Sequence, residues 1–95
     1  RSALFSADLP GFGPPDASLS VALFTAPDCP DCAAAEADLR RLADSRDLRV
    51  TLLDIDAHRD LAQALEIDLA PTYVLPDMML RGHIPMIVME RYLPK

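Results

Sequence analysis

Tryptophan is absent, and aromatic residues make up only 5% of the 95-residue chain, as two tyrosines and three phenylalanines. A core built from this chain must rest on Leu, Ile, Val, Ala and Met. Bases are also scarce: nine Lys and Arg face fifteen acids, for a formal net charge of −6. Such a field repels a polyanion, and the adjacent pair Arg40-Arg41 fits the solvated face of a helix, so nucleic acid is not an expected partner. No apolar run approaches the ~20 residues of a membrane span. Gly-rich phosphate loops and serine–histidine constellations are missing. Only two cysteines occur, Cys29 and Cys32. A structural staple normally joins distant segments, because a longer closed loop constrains the unfolded chain more; this pair is better suited to chemistry.

What is present is globular. Hydrophobic residues make up 51% and charged residues 25%, and the length suits one domain. The chain starts at Arg1 without Met, which reads as a trimmed or processed form. That start tilts the expectation toward an exported or membrane-tethered domain, although the residues do not separate cytoplasm from periplasm.

Residues 1–19 hold Pro10, Gly11, Gly13, Pro14 and Pro15, too many breakers for a helix or a central strand. They are expected to form an N-terminal extension, with Ser2 to Ser6 adding a short edge strand, ahead of a domain over residues 20–95. Ser20 to Thr25 is a short apolar run stopped by Pro27, the pattern of a buried strand. From Pro30 onward strong helix formers dominate, and Cys32, Ala35, Leu39 and Leu42 share one helical face. Pro30 suits the first turn, where no backbone N–H is needed. Leu48 to Ile55 reads as a second strand, His58 to Glu66 as a short helix and Pro71 to Leu75 as a third strand. After a turn at Pro76-Asp77, Met78 to Arg81 returns antiparallel, and Met86 to Leu93 forms a last helix. The expected order is β-α-β-α-β-β-α, an α/β domain with a four-stranded mixed sheet and helices on both faces. Its first two strands form a right-handed parallel crossover.

The Cys29-Pro30-Asp31-Cys32 motif therefore falls between a strand and a helix. Thiol–disulfide exchange needs a thiolate, and the free N–H groups at a helix start favour one on Cys29. Cys32, one turn in and on the buried face, is placed to resolve a mixed disulfide. Cys29 is assigned as nucleophile and Cys32 as resolving thiol. Asp28 and Asp31 either support the helix start or raise the thiol pKa, in which case the couple becomes more reducing.

With these residues in view, Leu23 to Cys32 resembles the first strand and active loop of glutaredoxins and small thioredoxin-like proteins. Asp54-Ile55-Asp56 is similar to the end of their second strand. Ala70-Pro71-Thr72 is similar to their loop in which the proline is cis and packs against the cysteines. The resemblance, over about residues 20–94, implies a thioredoxin-like fold and a thiol-disulfide oxidoreductase of cell redox homeostasis and electron transport, without a bound cofactor. It implies Pro30, Asp31, Ala70, Pro71 and Thr72 as substrate contacts. The implied partners are a protein disulfide or dithiol and an upstream reductase or oxidase. The chain departs from the family where thioredoxins carry a buried acid, a position held here by Leu23. It also lacks a basic residue before the motif and the acids after the last strand, which counts against glutathione as substrate.

Two other readings are open. Cys29, Cys32, His58 and His83 have the number and type for a zinc or copper site, although no spacing motif joins the histidines. Alternatively the domain is a non-catalytic interaction module, with Met78, Met79, Met86 and Met89 as an adaptable surface; Met86 and Met89, on the side of Leu93, read better as core. Asp54 and Asp56 resemble a carboxylate pair, but the resemblance puts them in a helix-capping turn. The oligomeric state is not encoded in anything recognisable.

Overall fold

A computed structural model describes residues 2–6 and 8–93. Arg1, on which the expectation of an exported or tethered domain rests, lies outside the described residues, as do the last two residues of the expected domain.

Five strands and three helices follow a short 3-10 turn at Ser2–Phe5. The strands are β1 (Gly11–Phe12), β2 (Leu19–Thr25), β3 (Leu48–Asp54), β4 (Thr72–Leu75) and β5 (Met78–Arg81). The helices are α1 (Pro30–Ser45), α2 (Arg59–Ala64) and α3 (Met86–Tyr92). The sheet runs β1-β3-β2-β4-β5. Strands β2 and β3 pair in parallel from Leu19↔Leu48 to Thr25↔Asp54, and all other pairings are antiparallel. An extended segment with alternating side chains explains why both faces are buried. Val21, Leu23, Val50, Tyr73 and Leu75 face α1 and α3, whereas Ala22, Phe24, Leu53 and Val74 face α2 and the N-terminal turn.

Helix α1 buries Cys32, Ala35, Leu39 and Leu42, the face expected from the spacing of these residues. Its opposite side carries the solvated pair Glu36–Arg40, 3.0 Å apart at i,i+4. Of the methionines, Met89 is buried and Met78, Met79 and Met86 are half-buried and pack on the two cores; they fill space under β5 and α3.

Two expectations need correction. The sheet has five strands, not four, and Ser2 to Ser6 supplies no edge strand: the first residues form the 3-10 turn. The edge strand is instead β1, whose Gly11 and Phe12 pair with Thr51 and Val50. Glycine is needed for this approach, since a Cβ at Gly11 or Gly13 would collide with the carbonyl oxygens of Val50 and Leu48. Gly13 also adopts φ +92°, which only glycine takes freely.

The segment before residue 20 is fastened by side chains far along the chain. Arg49 donates to the carbonyls of Leu9 at 2.9 Å and Gly13 at 3.2 Å. The Arg40 guanidinium lies 4.2 Å from the centre of the Phe12 ring, a cation–π contact. Leu4 is 1% exposed, in the same core cluster as Phe24 and Leu53.

Candidate active site

The site is built where β2 hands over to α1. Asp28 takes φ 53°, a left-handed conformation that Asp tolerates better than most residues. This turns the chain so that Cys29, extended at φ −121° and ψ 94°, becomes the N-cap of α1 with Pro30 in the first turn. The Cys29 Sγ accepts the Cys32 backbone N–H at 3.1 Å, and the Cys29 carbonyl accepts from the N–H groups of Cys32 and Ala33. A sulfur thus occupies the position where helix starts prefer an acceptor.

Cys29 and Cys32 are joined in a disulfide, with Cα atoms 5.2 Å apart. Their environments differ. Cys32 is 4% exposed within the core side of α1, and Cys29 is half-buried and opens to the surface. The other wall comes from the loop before β4. There the Ala70-Pro71 peptide is cis, the Ala70 carbonyl oxygen lies 3.9 Å from the Cys29 Sγ, and Pro71 is buried. The Thr72 hydroxyl, also buried, donates to the Leu69 carbonyl and braces the loop. Thr72 also pairs with Phe24 across β2 and β4. That pairing brings segments about forty residues apart to one end of the sheet.

Between these walls lies an open groove of about 460 Å³ that includes Cys29, Pro30, Asp31 and Ala70. Pro71 and Thr72 stand behind it and are buried. The groove also takes in Asp68 and Leu69, which the motif reading missed. They directly precede Ala70-Pro71, so pairing the two motifs in space was the available signal. Leu23, at the position where an acid would stand, is fully buried.

The remaining candidates lie elsewhere. His83 faces Asp38 of α1, Nε2 to carboxylate oxygen 3.2 Å, and His58 sits at the N-cap of α2 without a side-chain capping bond. Among the described residues no group of three or more His, Cys, Asp and Glu side chains is arranged to hold a metal ion, so the two cysteines and two histidines do not form a ligand set. Asp54 closes the turn after β3 by accepting the N–H groups of Asp56 and Ala57 at 2.8 and 3.0 Å, a local Asx-type turn. Among the described residues no helix is long and apolar enough to cross a membrane.

No family model matches the chain, and no curated protein does. Solved structures do. A mutant thioredoxin from Halobacterium salinarum superposes with a TM-score of 0.75 at 26% identity, over 81% of this chain and 73% of that one. Proteus mirabilis ScsC, as a linker-deletion mutant, gives 0.80 at 18% identity over 95% and 75% of the two chains. This is a thioredoxin-fold protein. Mitochondrial thioredoxin 3 from Saccharomyces cerevisiae in its oxidised form gives 0.71 at 24% identity, over 81% and 77%. The thioredoxin-fold chain thus carries, at the start of its first long helix, a disulfide of Cys-x-x-Cys spacing.

Proposed function

We propose that the chain is a thiol-disulfide oxidoreductase acting on protein disulfides, with one thioredoxin-like domain over residues 20–95 and residues 1–19 as an N-terminal extension. The observation that carries this reading is the Cys29–Cys32 disulfide at the N-terminus of α1, one sulfur open to the groove and the other buried behind it. In the reduced chain the Cys29 thiolate attacks one sulfur of a partner disulfide. The partner's S–S bond breaks, its leaving sulfur takes a proton, and a mixed disulfide forms. Cys32, as thiolate, then attacks the Cys29 sulfur and expels the second partner thiol. The chain ends oxidised, and the partner gains two electrons and two protons. An upstream dithiol resets the couple; with the opposite potential difference every step runs in reverse.

The helix start, whose Cys32 N–H points at the Cys29 sulfur, favours the Cys29 thiolate, while the carboxylates of Asp28 and Asp31 oppose it. Once reduced, the Cys29 thiol faces the Ala70 carbonyl, which accepts from S–H but not from a thiolate. Ala70 serves as the wall along which the substrate lies, with Pro71 and Thr72 bracing it from behind, and Pro30 and Asp31 meet the substrate from the helix side.

Reduction of insulin disulfides by the chemically reduced chain tests the reading. Cys29→Ser should abolish turnover. Cys32→Ser should accumulate a mixed disulfide visible by mass spectrometry, because its second step is removed. Turnover that survives in Cys29→Ser would eliminate the proposal.

A further inference from the structure

The groove beside the disulfide has an uneven charge. Asp28, Asp31 and Asp68 stand around it, two from the turn into α1 and one from the loop before β4. Among the described residues no Lys or Arg lines it. Three acids elsewhere have ion-pair partners: Glu36 pairs with Arg40, Asp38 with Arg41 and His83, and Asp56 with Arg59. The three groove acids have no such partner among the described residues. Between them lies an apolar strip that includes Pro30, Ala70 and Leu69, the last of which is 48% exposed despite its size.

We infer that this groove docks a cationic segment of the partner protein, with Lys or Arg residues flanking the cysteine that exchanges with Cys29. The inference rests on the oxidoreductase reading and narrows its substrate class. Lys and Arg suit both features of the groove: their aliphatic stems cover apolar surface while their charged ends stay in solvent near carboxylates. Three like charges around one opening add their fields, which speeds encounter with a cation and slows encounter with an anion. The same field disfavours small anionic disulfides such as oxidised glutathione.

The test uses the full chain in reduced form and three disulfide-linked peptides that differ only in the residues flanking their cysteines: Lys, Ser or Glu. Each exchange rate is divided by the rate of the same peptide with dithiothreitol, which removes the peptide's intrinsic reactivity. The order Lys, Ser, Glu is expected, with a Lys-to-Glu ratio of roughly tenfold at low ionic strength. That ratio should fall toward unity near ~0.5 M salt, where charges are screened within a few ångströms. In Asp68→Lys the ratio should drop by about threefold or more, consistent with one exposed charge pair being inverted. The ratio compares peptides on one protein, so a general loss of activity in the variant does not alter it. Equal normalised rates for the Lys and Glu peptides, or a ratio insensitive to salt, would overturn the inference while leaving the exchange chemistry standing. Failure of all three peptides together with neutral 2,2′-dithiodipyridine would instead bring down the oxidoreductase reading.

Discussion

Tyr73 shows how a single phenol ties the sheet to the end of the fold. Its ring is 1% exposed. Its hydroxyl accepts the Ile84 N–H at 3.3 Å and lies 3.5 Å from the Ile84 carbonyl, to which it donates. Burial raises its pKa above the ordinary value; the hydrogen bond to the Ile84 backbone works the other way, and the nearby charge of Asp38 adds to the rise. The sign follows from linkage. Below about pH 10 the phenol is neutral in both folded and unfolded chains, and its contribution is fully present. Above that point the unfolded chain ionises first, so stability falls as pH rises through the folded value. Melting curves across about pH 9–11 should therefore drop more steeply for the native chain than for Tyr73→Phe. Parallel curves would show that burial does not displace this titration. A similar rule of residue position governed what could be read of the site. Cys29 and Cys32 announced themselves by spacing, whereas Asp68 and Leu69 are ordinary loop residues until the β2–β4 pairing brings them opposite the helix start.

At the scale of elements, the readable parts were those whose burial is local in sequence. The run Val21 to Phe24 is fully buried and looks it; the α1 stripe of Cys32, Ala35, Leu39 and Leu42 repeats at helical spacing, and both were placed within a residue or two. The N-terminal segment was not readable in the same way. Its breakers did exclude a central strand, but β1 is only two residues long. Its partners, Val50, Thr51, Arg49 and Arg40, lie about thirty to forty residues downstream, and no local period records them. Packing by the segment is nonetheless testable. Leu4 fills a site against β2 and β3, so Leu4→Ala should lower unfolding free energy by about 2–5 kcal/mol, the range for emptying a buried Leu site. Urea unfolding would measure it. A loss below about 0.5 kcal/mol, typical of surface substitutions, would mean that the segment rides on the domain without supporting it.

For the whole molecule, folding and redox state form one thermodynamic cycle. The disulfide closes only the four-residue loop from Cys29 to Cys32, for which loop entropy gives about 2 kcal/mol of stabilisation. Closure of the cycle requires that stability lost on reduction equal the extra resistance to reduction that the fold confers on the bond. About 2 kcal/mol corresponds to about 40 mV for a two-electron couple. Two local effects act on this balance in opposite directions. The helix N-terminus stabilises a thiolate on Cys29 and hence the reduced chain, whereas Asp28 and Asp31 disfavour that charge. With these opposed, loop entropy should prevail. Urea unfolding at neutral pH is expected to show the reduced chain less stable by about 2 kcal/mol, and the folded couple about 40 mV more reducing than the same couple in denaturant. If the reduced chain proved the more stable, the helix start would outweigh both the loop and the acids. The fold would then push the bond toward reduction and make the chain a stronger oxidant toward its partners than its denatured form.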